Sequence, residues 1–293
     1  MTAAVPVTRP AELRTLLRGL GQIVLQANAA TGACLLAALA LANLRAAAAA
    51  LMGAAAANIV GLLAGGDRDD ARQGLHGFNG ALAALAAVSF VRDASTAFGL
   101  ALLAATAAGL LYGPFAGRLR RRALCCYSSP CLAATALWLP LVPAAPATGG
   151  PAPWTLASGF GGSVAALAQI AFARGVLSGA LVLAGIAISS RRDALYALGG
   201  ALAGSALLVA AGAGGAALHA GLLGFNGALT AIALAGYGLA IALPGVLAAA
   251  LLQLLAMHAG VTSLTTPFVL ATWLMLAARS PFTGAADVVH PSR

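Results

Sequence analysis

Apolar residues run along this chain in long blocks rather than in the spacings of a soluble fold. Residues 35–44, 46–64, 97–116, 176–189, 194–213 and 231–256 contain no charged side chain. Apolar segments of about 17 to 25 residues match the hydrocarbon core of a bilayer, and they cross it as helices because every backbone polar group must be bonded internally. The pattern predicts an all-α polytopic membrane protein of about eight to ten crossings in a lipid bilayer. Residues 1–18 contain Pro6, Pro10, Glu12 and Arg14 and no apolar stretch, so residues 1–20 read as a cytoplasmic lead and not a signal peptide.

The pattern also repeats. Residues 74–82 read GLHGFNGAL and residues 221–229 read GLLGFNGAL, differing only at His76 and Leu223. The same register aligns residues 17–37 with 164–184, pairing Gln22 with Gln169, Ile23 with Ile170 and Gly32 with Gly179. A third pair, at a slightly shorter offset, matches Ser128-x-Pro130 to Thr265-x-Pro267. Two homologous halves are therefore expected at 21–139 and 164–278, joined by a Pro/Gly/Ala-rich linker at 140–163 and followed by a tail at 279–293.

Composition agrees with the pattern. Only 8% of residues are charged against 61% apolar, too few charges for a water-soluble surface. The net charge of +9 resides in short arginine clusters between apolar runs: Arg9/Arg14/Arg18, residues 118–122 (RLRRR) and Arg191/Arg192. That is the positive-inside pattern and needs no nucleic acid partner; it places the N-terminus in the cytoplasm. Cys34, Cys125, Cys126 and Cys131 lack zinc-site spacing and read as small packing residues; no metal or cofactor is implied. No Ser/His/Asp order or phosphate loop marks an enzyme.

The repeated blocks carry the candidate chemistry. Irregular backbone at membrane depth is tolerated only where protein buries it or it lines a wet cavity. The Gly-Phe-Asn-Gly blocks precede apolar runs too short to span, and they read as re-entrant half-helices at matching positions of two halves, the pattern that points to a central path. A Ser or Thr two residues before a proline, read as lying inside a helix, offers a hydroxyl beside freed carbonyls. Such acceptors suit a solute rich in N–H donors; the competing reading is ordinary kink chemistry. Gln22 and Gln169 can bind a neutral amide with donor and acceptor, or act as interhelical glue. Phe78, Leu82, Phe225 and Leu229 are either core packing or a slot for a flat molecule.

At these residues the sequence resembles the urea transporter family, whose halves each carry a G-x-x-G-[FY]-N block and an L-P-x-x-T-x-P-F signature. The resemblance spans nearly the whole chain. Residues 263–274 (SLTTPFVLATWL) keep the signature from Thr265 to Phe268, with Val261 and Thr262 in place of Leu-Pro; in the first half Cys125 stands at the proline position and Cys131 at the phenylalanine position. The resemblance implies ten crossings plus two re-entrant helices in inverted repeats, a homotrimer with one pore per subunit in the cell inner membrane, and passive urea permeation. It places urea on Gln22, Gln169, Ser128 and Thr265, and the constriction on Phe78, Leu82, Phe225, Leu229, Ile23 and Ile170, with Phe172 as an aromatic at one mouth and Leu25 at the equivalent place in the other. Arg174 reads as a residue at a mouth. The altered first signature keeps a second reading open, a channel for ammonia, water or short amides. An ion-coupled transporter is disfavoured because the acidic residues, Glu12, Asp67, Asp69, Asp70, Asp93, Asp193 and Asp287, lie outside the long apolar cores.

Overall fold

The computed structural model describes residues 9–142 and 155–279. The first eight residues of the expected lead, linker residues 143–154 and tail residues 280–293 lie outside the described residues.

The described chain is helical, without strands. The first half comprises α1 (Arg9–Gln22), α2 (Ala29–Ala42), α3 (Leu44–Leu63), α4 (Arg68–Arg72), α5 (Gly77–Phe90), α6 (Ala94–Arg120) and α7 (Ser129–Ala136). The second comprises α8 (Leu156–Gln169), α9 (Val176–Ser189), α10 (Arg191–Ala210), α11 (Gly215–His219), α12 (Phe225–Leu234), α13 (Leu239–His258) and α14 (Thr266–Arg279). The first four helices of each half have identical lengths, and each begins 147 residues after its counterpart, from Arg9 and Leu156 to Arg68 and Gly215. The last pair begins 137 residues apart, at Ser129 and Thr266. α1 starts inside the stretch read as a lead, and α8 inside the stretch read as linker.

Among the described residues four helices, α3, α6, α10 and α13, are long and apolar enough to cross a membrane; the other apolar helices are shorter. Hydropathy blurs two breaks. Residues 35–44 and 46–64 nearly merge, but Asn43 is extended, accepts from the Arg45 N–H and starts α3 as an N-cap; Ser190 does the same for α10 through the Asp193 N–H. The run 231–256, expected as one block, is two helices: α12 ends at Leu234, a 3-10 turn follows, and Gly238 at φ 82° starts α13. Only glycine takes that backbone conformation cheaply, and an apolar glycine leaves no mark on hydropathy.

Close helix contact rests on small residues, as it does where lipid removes the hydrophobic drive between helices. A Cβ on Gly32 would stand 1.7 Å from the Leu17 carbonyl oxygen where α1 crosses α2, and one on Gly179 would stand 2.0 Å from the Val164 oxygen where α8 crosses α9. The halves meet along α2 and α9 through a reciprocal pair of bonds. Thr31 Oγ1 donates to the Gly185 carbonyl (2.7 Å), and Ser178 Oγ donates to the Ala38 carbonyl (3.2 Å). Each residue of one bond is the repeat counterpart of its opposite number in the other, the relation an isologous contact requires.

Two arginines close the far ends of the short helices. Arg45 donates to the Val91 and Arg92 carbonyls after α5, and its counterpart Arg192 donates to the Ala235 carbonyl after α12. Cations there offset the negative end of a helix dipole, so Arg192, read from sequence as a topology anchor, also caps a helix.

Candidate functional site: a neck between the halves

Two kinds of helix break bring the repeated blocks together. α1 ends at Gln22 and α8 at Gln169, and in each the chain turns back: Gln26 N–H bonds the Gly21 carbonyl (3.0 Å), and Ala173 N–H bonds the Ala168 carbonyl (3.1 Å). Leu25 (φ 61°) and Phe172 (φ 57°) sit in this turn in the left-handed region. For a residue with a Cβ that conformation costs about 1–2 kcal/mol. It turns both side chains into interior space: Leu25 lines a narrow gap and Phe172 a wide one.

The second break precedes α7 and α14. Tyr127 (φ 45°) and Leu264 (φ 47°), again counterparts, are left-handed just before Ser128 and Thr265. In each half this second break is held by the asparagine of the Gly-Phe-Asn-Gly block. Asn79 donates to the Tyr127 carbonyl (3.2 Å) and accepts from the Cys131 N–H (3.1 Å). Asn226 donates to the Leu264 carbonyl (3.2 Å) and to Gln253 Oε1 (3.0 Å), and accepts from the Phe268 N–H (3.3 Å). Both asparagines are fully buried. They do not cap their own helices; they tie one repeated block to the other.

The prolines differ from expectation. Pro130 and Pro267 stand in the first turns of α7 and α14, not inside a helix. A missing N–H costs nothing there, because first-turn N–H groups have no intrahelical acceptor. The left-handed residue ahead of each helix, not a proline kink, turns the chain.

Ser128 Oγ and Thr265 Oγ1 meet at 2.8 Å across the boundary between the halves. Around them Ile23, Leu25, Phe78, Leu82, Ile170, Leu229 and Phe268 leave a gap of about 10 Å³. Leu82, Ile170 and Thr265 also line a second cavity, of about 610 Å³. The two cavities therefore adjoin, a narrow neck beside a wide chamber. Phe90 and Phe172 stand edge to face in its wall, 6.2 Å between centroids. Leu132, Cys131 and Phe225 add to the apolar lining, Gln169 and Gln253 are among its polar groups, and Arg174, also in the lining, is exposed.

All predicted site residues except Gln22 line the neck or the chamber. Gln22 Nε2 instead donates to the Gln73 carbonyl (3.1 Å), as Gln169 Nε2 donates to the Ala220 carbonyl (2.9 Å). One N–H of each amide is thus committed, which fixes the side chain and leaves Oε1 as acceptor. His76 is packed, not lining: it is 1% exposed, its ring 4.7 Å from that of Tyr112. Cys126 and Cys131 are buried as expected of packing residues, but Cys125 is exposed and offers its carbonyl to Trp273 Nε1 (2.8 Å). Phe268, Phe90 and Gln253 are among the lining residues left unassigned from sequence. Gln253 had a signal, being the lone amide in an apolar helix, 4% exposed and bonded to the Leu222 carbonyl and to Asn226.

The lining of the chamber differs from its repeat counterparts on the other side of the neck. Ala46 and Ala173 line it; their repeat counterparts are Asp193 and Gln26, whose side chains bond at 3.0 Å. Cys131 lines the chamber, whereas its counterpart Phe268 fills the neck and stacks on Tyr127, 5.1 Å between centroids. Asp193, read as lying outside the long apolar cores, is half-buried in the first turn of α10.

Apolar helices, paired breaks and a polar-centred neck beside a wide cavity define an all-helical membrane protein. The sequence profile of the urea transporter family matches residues 13–280, nearly the whole chain. This chain belongs to the urea transporter family. No individual curated protein matches it.

Proposed function

We propose that the chain is a passive, channel-like path for urea across the cell inner membrane. The family is one of transporters rather than enzymes and supports urea transport across a membrane. The observation that carries the finer reading is the neck: a slot walled by Phe78, Leu82, Leu229, Ile23 and Ile170, with one hydroxyl from each half at its centre.

Urea is flat and uncharged, with four N–H donors and one strong acceptor, and stripping its water without replacement costs several kcal/mol. At rest Ser128 and Thr265 satisfy each other. Urea entering between them trades that bond for bonds from its own N–H groups, an exchange that is nearly neutral because each hydroxyl is bonded before and after. Binding then stays weak enough for the solute to leave, as conduction requires. Gln169 Oε1 accepts N–H groups at the chamber end, Gln22 serves the other end, and the apolar walls admit a flat solute edge-on. Phe225 and Phe172 line the approach.

We read the halves as inverted repeats, with ten crossings and with α5 and α12 as the re-entrant pair. α5 runs from the neck at Phe78 toward the chamber at Phe90, while α12 runs from the chamber at Phe225 toward the neck at Leu229, which supports opposite directions. The domain limits 21–139 and 164–278 are kept for the two halves, with most of α1 and α8 preceding them. On this topology the clusters at 118–122 and 191–192 share the side opposite the chamber, so that side, with the N-terminus, is cytoplasmic and the chamber faces outward. The motif resemblance carries the homotrimer.

Stopped-flow light scattering on proteoliposomes under a urea gradient, with water permeability as control, tests this reading. Fast, saturable urea entry without an ion gradient supports it. Entry no faster than in empty vesicles, by folded protein, would favour ammonia or short amides, the second reading that Ser128 and Cys131 in the altered signature keep open.

A further inference from the structure

One position breaks the duplication inside the block that builds the neck. Residues 74–82 and 221–229 differ only at His76 and Leu223, and His76 stands immediately before α5, next to Gly77, Phe78 and Asn79. The imidazole is buried, and its Nδ1 has no hydrogen-bond partner. It fills a hollow left by two glycines: a Cβ on Gly61 would stand 2.6 Å from Nδ1, and one on Gly66 would stand 2.6 Å from Cε1. The Tyr112 ring lies against it, and Tyr112 Oη donates to Asp70 Oδ2 (3.0 Å). Arg120 donates to the same carboxylate and to Tyr112 Oη (3.2 Å), and being exposed it carries this cluster to solvent. Asp67 caps α4 beside the group, and Cys126 packs with Tyr112. α3 contributes Gly61 and the uncharged Asn58, while the Arg18 guanidinium of α1 is turned to the Arg72 carbonyl (3.4 Å).

A neutral ring suits this site and a charged one does not. Unprotonated, Nδ1 needs no acceptor; protonated, it becomes a buried donor against glycine backbone with nothing to receive it. The charge would also sit at the start of α5, where no side chain caps the helix and the positive end of its dipole repels a cation. Relief lies toward Asp70, and moving the ring pulls on its chain neighbours. Phe78 walls the neck, and Asn79 fixes the turn that presents Ser128.

We propose that His76 is a proton-sensitive positioning residue for the neck: once protonated it displaces the start of α5, takes Phe78 and Ser128 out of place, and stops urea passage at acid pH. This rests on the urea reading for the solute whose flux is followed. Burial holds the imidazole below its ordinary value of 6.5, against the raising pull of Asp70 and Asp67, so the window lies on the acid side of that value.

Urea entry into proteoliposomes is followed by stopped-flow light scattering at equal pH on both faces, from about pH 8 to about pH 5. In the native protein the rate is flat at the alkaline end and, below the midpoint, falls about tenfold per pH unit, the slope of one titrating group. His76→Leu, which installs the residue of the other half, keeps the alkaline rate and abolishes the fall. Asp70→Asn removes a carboxylate that favours the imidazolium; it keeps the fall and moves it to lower pH, an arm that does not depend on the folding of the first variant. The thermal unfolding midpoint in detergent adds a readout independent of flux. A ring held neutral by the fold stabilises above about pH 6.5 and loses that contribution as pH falls, so acidification costs the native protein stability that His76→Leu keeps. A native rate indifferent to pH, a fall retained in His76→Leu, or a fall unmoved by Asp70→Asn would overturn the proposal. Protein that passes no urea at any pH, yet shows the His76-dependent loss of stability, would instead sink the transport reading and leave His76 as the proton-sensitive group of the fold.

Discussion

The neck and the mouths follow opposite rules. At the neck three matched pairs, Ile23 with Ile170, Leu82 with Leu229 and Ser128 with Thr265, stand beside the unmatched Leu25, Phe78 and Phe268. At the mouths equivalent positions hold Ala46 and Ala173 on one side and the bonded Asp193 and Gln26 on the other. A solute at the neck would touch both halves at once, so a change in either alters the same slot. Each mouth is a separate place, and its residues can diverge without disturbing the opposite end. The asymmetry extends inward to one polar tie: Asn226 has Gln253 as an added partner, and Asn79 has no such amide.

That tie offers the largest test of the comparison. Asn226→Ala strands the Leu264 carbonyl, the Phe268 N–H and Gln253 Oε1, while Asn79→Ala strands only the Tyr127 carbonyl and the Cys131 N–H. At roughly 1–3 kcal/mol per stranded buried group, the expected losses are about 3 kcal/mol or more and about 2 kcal/mol. Thermal unfolding in detergent reads both, and equal losses would deny the second half its extra partner. Next come Gly32→Ala and Gly179→Ala, which force a Cβ onto a carbonyl oxygen in each half. Overpacking of about 1–3 kcal/mol is expected, and similar in the two variants because the crossings are counterparts; a large difference between them would break the symmetry assigned to the scaffold.

A smaller effect is expected at the closed mouth. Removing the Gln26–Asp193 bond with Gln26→Ala or Asp193→Ala costs about 1 kcal/mol, the net worth of one part-buried bond. Urea flux should change less than in Thr265→Val, because the neck and not the mouth limits passage; a larger change in stopped-flow rate would move the limiting step outward. The smallest effect is at the helix ends. Arg45→Ala, which frees two carbonyls, should destabilise slightly more than Arg192→Ala, which frees one, each within about 0.3–1 kcal/mol.

The sequence showed the neck because duplication writes its residues twice. Phe78, Leu82, Ser128 and Thr265 stand in repeated blocks, and those blocks meet in space. Features present once, or made by backbone alone, stayed hidden. Leu25, Phe172, Tyr127 and Leu264 take left-handed backbone without glycine, and no local residue preference marks such positions. Pro130 and Pro267 were misplaced to helix interiors, although a hydroxyl residue followed by Pro is also a helix-start signal. The break at Gly238 hid in an apolar run, and the chamber hid because it is made of what is missing: alanine and cysteine where the other half carries larger side chains.

The reciprocal bonds between α2 and α9 have a further consequence. An interface that pairs residue i with j′ and i′ with j is self-complementary, so two separate copies of a half-length chain could close it as well as two halves of one chain do. Such a homodimer would have identical ends and could favour neither direction of approach. Joining the halves in one polypeptide adds nothing to that contact, yet it alone lets one end carry alanines and the other a carboxylate. Covalent linkage here is what gives a symmetric scaffold a front and a back.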